Sequence, residues 1–313
     1  MSCFASLEQQ FLAALFNGLA IGSIYALIAL GLSMVYGILN LINFAHGEVF
    51  MVGAFAALGI FSALGVDLNA GWALVTLALL AGAVAAVAAS GLAAMILEIA
   101  AYRPLRRLGA PRHATMISGM GCSIVLQEIF ALAFGRANIS YPGLLPVSTL
   151  FVAGSGRITV KMALIMICTL VMMVVLDWFV SRTKSGRGIR ALAQDPVAAE
   201  LMGVNLSRSI LTTFLIGGMC AGLGGVLYGL YFSKTSYLLG FIPGLKGLTA
   251  AILGGIGNLP GAVLGGLLLG VMENVGAICL PAQLKDVVGF GALLLVLIFR
   301  PNGILGERVA RRT

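Results

Sequence analysis

The sequence predicts an all-α membrane protein: a polytopic helical bundle of about eight spans, with one broken or re-entrant element and a short cytoplasmic helix. Three observations support this prediction. Of the 313 residues, 60% are hydrophobic and 10% are charged, whereas about a quarter of the residues in soluble domains are charged. The apolar residues form runs of about 20, the length that a helix needs to cross a bilayer. The Lys and Arg residues gather in the polar gaps between these runs, as membrane topology requires.

No polar stretch is long enough to fold alone, so we predict one transmembrane domain over residues 1–313, with a cytoplasmic loop at 182–208 inside it. A shorter apolar piece at 244–256 precedes the turn-like GGIGNLPG and is too short to cross comfortably. It predicts a half-helix or re-entrant element, because irregular backbone at membrane depth is tolerated where protein or a wet cavity covers it. The apolar runs of spanning length lie at about 11–37, 42–65, 71–99, 114–134, 160–181, 209–232, 259–279 and 284–300.

Glycines recur four residues apart within several of these runs, as at Gly18 and Gly22 or at Gly218 and Gly222. In lipid, small residues at this spacing let two helix backbones approach closely and pack by dispersion. The glycines therefore predict tight contacts between spans.

The positive charges predict the orientation of the chain in the membrane. All 19 Lys and Arg residues lie at or beyond Arg103, so the net charge of +8 reflects topology rather than nucleic-acid binding. Four basic residues fall in 102–113, five in 181–208 and four in the tail from Arg300. With these segments in the cytoplasm, the N-terminus lies outside. The tail then ends inside only if 244–256 adds a crossing or one of its neighbours fails to cross.

The segment DPVAAELMG (195–203) predicts a short helix with both ends marked. Asp195 can cap the free amides, Pro196 suits the first helical position, and Gly203 can adopt the left-handed conformation that ends a helix. The helix has an apolar face but no core of its own. It is either a capped turn lying on the membrane or a peg that docks in a groove on another protein. The candidate docking residues are Asp195, Pro196, Ala198, Ala199, Glu200, Leu201 and Gly203.

Asn43, His46 and Glu48 place three polar groups between the first two apolar runs, and Glu128 lies deep in the fourth run. Ionisable groups within spans are costly and usually face a bundle interior or a wet cavity. On a straight helix Glu48 points nearly opposite His46, so we predict an irregular junction rather than a His–Glu pair. Three interpretations remain open for the junction: it lines a polar path, it lies at the membrane interface, or it is structural. In the structural interpretation, Asn43 and His46 cap a broken helix and Glu48 pairs with a basic group from elsewhere.

The sequence carries no pattern typical of an enzyme or a metalloprotein. The five cysteines are scattered without metal-ligand spacing, so we expect no disulfide framework, no metal site and no cofactor. No nucleophile–base pair can be recognised, which predicts no catalytic residues. The phosphate-binding pattern GxxxxGK[ST] does not occur, so the chain is not expected to hydrolyse ATP itself.

Five segments together resemble the branched-chain amino-acid ABC transporter permeases of the LivH type, over essentially the whole chain. They are YALIALGLSMVYGILNLINFAHGEVFMVGAF (25–55), AYRPLR (101–106), RALAQDPVAAELMGVN (190–205), KGLTAAILGGIGNLPGAVLGGLLLG (246–270) and RPNGILG (300–306).

This resemblance implies the permease subunit of a five-part importer in the bacterial inner membrane. The implied partners are a second permease that forms a heterodimer with it, two ATP-binding subunits, an extracytoplasmic substrate-binding protein and the surrounding lipid. Residues 195–203 would be the element that couples the permease to the ATPases. Asn43, His46, Glu48 and Glu128 would be candidates for the path of a zwitterionic amino acid.

Two alternatives stay open. The same architecture could carry urea, amides or other amino acids, because the binding protein usually selects the substrate. A stand-alone secondary transporter would need an ion-coupling carboxylate and a broken-helix site, which Glu48 and GGIGN could supply. That alternative leaves the capped peg at 195–203 without a role.

Overall fold

The computed structural model describes residues 3–39, 41–66, 71–145, 148–281 and 284–306, and helices dominate them. Seven of these helical segments are long and apolar enough to cross a membrane, which confirms the predicted polytopic helical membrane protein. The helices are α1 Cys3–Leu39, α2 His46–Leu64, α3 Trp72–Leu97, α4 Arg103–Arg107, α5 Arg112–Phe134, α6 Val160–Arg182, α7 Lys184–Gln194, α8 Pro196–Leu201, α9 Leu206–Phe232, α10 Phe241–Gly254, α11 Leu259–Cys279 and α12 Lys285–Phe299. The short strands are β1 Ile139–Ser140, β2 Thr149–Ala153, β3 Gly156–Thr159 and β4 Lys234–Thr235.

Two of the predicted spans have a different form in the structure. The third run continues beyond α3 through a π-helical segment, Glu98–Tyr102, into α4, so one helical segment extends from Trp72 to Arg107. The last run is α12, which has 15 residues and is shorter than the roughly 20 residues of a full span.

The shorter apolar piece forms α10, a helix of 14 residues, as the broken-element prediction required. Its C-terminal carbonyls are covered by the chain beyond α12. The backbone N–H of Ile304 donates to the oxygen of Leu253 at 2.9 Å, and that of Leu305 donates to Gly254 at 3.0 Å. These bonds satisfy acceptors that the last turn of a helix leaves open.

The junction between the first two spans is irregular, as predicted. Helix α1 ends at Leu39, and α2 begins at His46 after a non-helical stretch at 41–45. Where α2 ends, Gly65 adopts a left-handed conformation with φ 57°.

The described residues form two compact units, and each is built from separate stretches of sequence. The described residues of the first unit lie within 1–33, 147–173 and 246–313, and those of the second lie within 34–146 and 174–245. The prediction of one permease domain over the whole chain stays a prediction.

Within the first unit, α1 packs against α11 through glycines. A Cβ added to Gly22 would lie 2.7 Å from the carbonyl oxygen of Gly266, and one added to Gly266 would lie 2.5 Å from the amide nitrogen of Ala26. No residue with a side chain fits either position without a shift of the backbone. The glycine spacing therefore predicted a real helix contact. A hairpin of β2 and β3 precedes α6.

Within the second unit, α2, α3 and α9 pack together around small residues. The hydroxyl of Ser90 on α3 donates to the backbone oxygen of Val49 on α2 at 2.8 Å. A Cβ added to Gly222 on α9 would lie 2.7 Å from the Cβ of Ser90. The strands β1 and β4 pair antiparallel in the same unit.

The cysteines depart from the expectation in one place. Cys122, Cys168 and Cys220 are free thiols, but Cys279 at the end of α11 is disulfide-bonded. Sequence spacing did not predict this bond, because spacing alone does not determine which cysteines the fold brings together.

Candidate functional site

Glu48 lies in the first turn of α2, and its side chain is 1% exposed. Its Oε1 accepts hydrogen bonds from the Gln127 amide nitrogen at 2.7 Å and from the Ser123 hydroxyl at 3.2 Å. Its Oε2 has no hydrogen-bond partner among the described residues. A Cβ added to Gly240 would lie 2.5 Å from Oε2. The carboxylate is therefore held on one side by neutral donors and faces bare backbone on the other.

The structural interpretation predicted that Glu48 pairs with a basic group, and the described residues do not supply such a partner. In the described part of the chain, no ion pair reaches this carboxylate, and its donors are an amide and a hydroxyl. Placing a carboxylate away from water is costly unless a cation or several hydrogen bonds compensate it. Two neutral bonds to one oxygen leave the other oxygen uncompensated.

The position of the donors along α5 shows how deep Glu48 lies. Helix α5 has 23 residues, a length of about 35 Å. Ser123 and Gln127 stand about 17 and 23 Å from its first residue, Arg112. The Glu48 carboxylate, although in the first turn of α2, thus lies beside the middle of α5, a helix of spanning length, where an ionisable group is costly and most often functional.

Asn43 holds the irregular junction in place. It is buried, and its Oδ1 accepts a hydrogen bond from the Tyr102 hydroxyl at 2.7 Å and from the backbone N–H of Ala45 at 3.0 Å. Its own carbonyl oxygen accepts from the backbone N–H of His46 at 3.2 Å. Asn43 thereby ties the start of α2 to the π-helical extension of α3.

His46 is the first residue of α2 and is buried. The hydrogen-bond donors of Glu48 lie on α5 rather than at His46. The structure therefore brings His46 to the same turn of α2 as Glu48 without placing it among the donors to that carboxylate.

The structure does not bring Glu128 to the other three candidates. Its half-exposed carboxylate pairs with Arg136 at 2.8 Å. Successive residues of a helix point about 100° apart, so directing Gln127 towards Glu48 turns Glu128 away. The residue that reaches the junction from this part of α5 is Gln127.

Gln127, Ser123 and Tyr102 were missed by the sequence analysis. A signal for the first two is present in the fourth apolar run, where small or polar residues recur every four positions. Residues four apart share one face of a helix, and this face includes the two donors to Glu48. Its members are Thr115, Gly119, Ser123 and Gln127.

This face of α5 leads from Glu48 towards a cavity of about 240 Å³. The cavity is lined by Thr115, by Tyr102 and by Leu41 of the junction, among others. Gly119 lies between the two ends, and a Cβ added to it would stand 2.5 Å from the Tyr102 hydroxyl. From Thr115 to Gln127 the polar face extends about 18 Å. Hydrogen-bonding groups therefore recur from the buried carboxylate to the cavity.

The short helix at 195–203 is confirmed as α8. The Asp195 carboxylate accepts hydrogen bonds from the backbone N–H groups of Val197 at 3.0 Å and Ala198 at 3.1 Å. Gly203 has φ 86°, and its N–H donates to the Glu200 oxygen at 2.9 Å. Both predicted caps are therefore present.

Helix α8 exposes an apolar surface between its two caps. Ala199 is buried, whereas Leu201 is 84% and Met202 85% exposed, and Val197 and Glu200 are exposed as well. Exposed aliphatic side chains on a helix of six residues have no core to enter within the described chain. This arrangement fits a helix that docks into another surface.

Comparisons with known proteins agree with this picture. The family model described as the permease component of the branched-chain amino acid transport system matches residues 14–297. The high-affinity branched-chain amino acid transport system permease protein LivH of Escherichia coli K12 is 42% identical over 305 residues, which cover 95% of this chain and 96% of that protein. BraD of Pseudomonas aeruginosa, a permease protein of the same description, is 44% identical over 304 residues, with 95% and 96% covered. LivH of Salmonella typhimurium is 41% identical over 305 residues, with the same coverage.

No solved structure matches the chain. The resemblance found in the sequence motifs is nevertheless confirmed, because the family match and the relatives extend over almost all of the chain. This chain belongs to the family of permease components of branched-chain amino acid transport systems.

Proposed function

We propose that this chain is the membrane subunit of an ABC importer that moves branched-chain amino acids across the bacterial inner membrane. Its proposed partners are a second permease, two ATP-binding subunits and an extracytoplasmic binding protein. The observation that carries the proposal is the Glu48 carboxylate, which is buried, lies beside the middle of α5 and meets no cation among the described residues. A permease needs polar groups inside its spans, whereas a purely structural membrane protein avoids them.

The path proposed for the substrate follows the polar face of α5. It passes Glu48 with its two donors, then the Asn43–Tyr102 hydrogen bond, and reaches the cavity beside Thr115. Hydrogen-bonding groups at successive levels replace water around a zwitterion, whose ammonium and carboxylate groups are otherwise costly to desolvate.

The proposed coupling element is α8. A helix of six residues does not persist in isolation, so its caps and a groove on a partner must hold it. Asp195 and Gly203 supply the caps, and Leu201 and Met202 supply apolar contacts for the groove. We assign α8, the loop at 182–208 and the C-terminus to the cytoplasm, because the basic residues are concentrated there.

The function is tested by reconstituting the chain with its partners in proteoliposomes and measuring ATP-dependent uptake. We expect accumulation of leucine, isoleucine or valine that requires both ATP and the binding protein. Urea, an amide or a hydrophilic amino acid taken up in their place would assign the same machinery to another substrate. Uptake that is driven by an ion gradient without the ATP-binding subunits would establish the stand-alone transporter instead.

The coupling role is tested at Gly203. Valine there cannot readily adopt the left-handed conformation, so Gly203→Val should skew α8 and abolish substrate-stimulated ATP hydrolysis while the chain still inserts. Gly203→Asn is the matched control, because asparagine tolerates this conformation at the end of a helix and should retain most of the stimulation. Glu200→Arg changes the charge of the docking surface without altering either cap, and it should also lose stimulation. Full stimulation in both Gly203→Val and Glu200→Arg would remove α8 from this role.

A further inference from the structure

Helix α7 has one face in the protein and one face outside it. Gly186, Ile189 and Leu192 are buried, so the apolar face is already covered by the chain. Lys184 and Arg187 are exposed on the opposite side. Arg190 belongs to the same exposed face.

The packing of α7 places it across the end of α6. Helix α6 has 23 residues, about 35 Å, which is enough to cross the hydrocarbon core of about 30 Å. Only Thr183 separates the two helices, and its hydroxyl accepts from the N–H of Gly186 at 3.0 Å. A Cβ added to Gly186 would lie 2.6 Å from the Cα of Val180, so the helices touch through backbone. Arg190 also donates to the Ser181 oxygen at 3.2 Å.

This geometry fixes the depth of α7. A helix held against the last turn of a span lies in the headgroup layer, beside the boundary of the hydrocarbon. Trp178, exposed on α6 one turn before Arg182, is the residue type that gathers at this boundary. The basic side chains of α7 therefore stand at the level of the lipid phosphates.

The charges on this surface have no ion-pair partner among the described residues. In the described part of the chain, Arg182, Lys184, Arg187 and Arg190 take part in no ion pair. Of the acidic groups nearby in sequence, Asp195 accepts the cap bonds of α8. The other two are Asp177 on α6 and Glu200 on α8, and both are exposed.

We propose that the surface formed by Arg182, Lys184, Arg187 and Arg190 binds the headgroups of anionic phospholipids. Charge complementarity and the depth of α7 support lipid as the occupant. Because the apolar face of α7 is buried in protein, no side chain of that face is left to insert between acyl chains. Binding is therefore electrostatic: it depends on headgroup charge and ionic strength, and not on chain length.

The location gives the lipid a mechanical role. Helix α7 ends at Gln194, and Asp195, the next residue, caps α8. A lipid that holds α7 fixes the point from which α8 leaves the membrane. This consequence rests on the coupling role proposed for α8, whereas lipid binding itself does not.

The test is native mass spectrometry of the full-length chain in mixed micelles with equal amounts of phosphatidylglycerol and phosphatidylcholine of identical chains. The double variant K184Q/R187Q should lose affinity for its tightest phosphatidylglycerol by about 25-fold, or about five-fold for each charge removed. The charge-conserving variant K184R/R187K should keep that affinity. The control R157Q/K234Q removes two exposed basic residues from β3 and β4, and should change it less than two-fold.

Three results would overturn the proposal. One is equal retention of phosphatidylglycerol by the wild-type chain and K184Q/R187Q. Another is an equal loss in the R157Q/K234Q control, which would show a general effect of net charge. The third is unchanged lipid binding together with lost association of the ATP-binding subunits in K184Q/R187Q, which would assign the surface to protein.

Discussion

Each of the two units buries a carboxylate inside a long helix, and the two are compensated in different ways. Glu273 of α11 and Glu48 of α2 are both 1% exposed. Glu273 accepts from the Lys246 ammonium at 2.9 Å and from the Tyr25 hydroxyl at 3.2 Å. Lys246 also pairs with half-exposed Asp286 at 2.7 Å. Glu48, by contrast, receives only neutral hydrogen bonds from the described residues.

This difference separates a structural charge from a functional one. In a buried ion pair with further hydrogen bonds the two charges compensate each other, and removing one member leaves the other as an uncompensated buried charge. A buried carboxylate without a cation costs stability, and such groups persist where function requires them. Glu98, the third buried carboxylate of the described spans, belongs with Glu273, since Arg106 pairs with it at 2.6 Å.

The surroundings of the two carboxylates are otherwise alike. A Cβ added to Gly289 would lie 2.8 Å from one oxygen of Glu273, and one added to Gly240 would lie 2.5 Å from one oxygen of Glu48. Both oxygens are thus enclosed by close backbone. What distinguishes Glu48 is therefore the lack of a cation among the described residues, and not looser packing. Substitutions at Glu48 should mainly lower uptake, whereas substitutions at Glu273 should mainly lower stability.

The largest effect is expected at Lys246. Lys246→Met leaves Glu273 buried without its cation, which should lower the free energy of unfolding by about 3–5 kcal/mol. The measurement is denaturant-induced unfolding in detergent. The double variant K246M/E273L removes both members of the pair, and it should recover most of the loss because Asp286 can still be hydrated. A double variant no more stable than Lys246→Met would show that Lys246 acts through something other than Glu273.

The next effect concerns Glu48→Gln, which removes the charge while keeping an acceptor for Gln127 and Ser123. ATP-dependent uptake by the reconstituted importer should fall roughly 10- to 100-fold, the equivalent of one charge-assisted hydrogen bond. The free energy of unfolding should not fall, because no cation among the described residues loses its partner.

Glu273→Gln is the matched control for this substitution. It should lower the free energy of unfolding by about 1.5–3 kcal/mol, with normal uptake per folded importer. If Glu48→Gln lowered stability and Glu273→Gln lowered uptake, the comparison between the two sites would be reversed.

How much of this contrast was predictable depends on the distance in sequence between partners. The irregular junction at Glu48 and the caps of α8 were predicted, because local residue types at short spacing determine both. The donors Ser123 and Gln127 lie 75 and 79 positions from Glu48, and they meet it only through helix packing. The fourth apolar run does carry a signal for the inward side of α5, the small or polar residues at every fourth position, but the sequence analysis did not use it. The sequence analysis therefore selected Glu128, one residue from the donor that reaches the junction.

A smaller effect is expected at Gln127, which donates the shorter of the two hydrogen bonds to Glu48. Gln127→Leu removes the 2.7 Å donor and should lower uptake about 10-fold, since Oε1 then keeps only the Ser123 hydroxyl. Glu128→Gln is the matched control on the adjacent position. It breaks an exposed ion pair worth about 0–1 kcal/mol, so uptake should stay within about two-fold of wild type. A greater loss in Glu128→Gln than in Gln127→Leu would move the path to the other side of α5.

The smallest effect is expected at Ser123. Its hydroxyl donates to the same oxygen of Glu48 over a longer distance, 3.2 Å, and alanine keeps the small volume that the α2–α5 contact needs. Ser123→Ala should therefore lower uptake about two- to five-fold, near the lower end for a single hydrogen bond. In the Gln127→Leu background, Ser123→Ala should lower uptake by a larger factor than it does in the wild type, because Ser123 is then the last donor to Oε1. Uptake by both single variants and by the double variant measures this coupling. Effects that simply multiply would mean that the two donors do not act through Glu48.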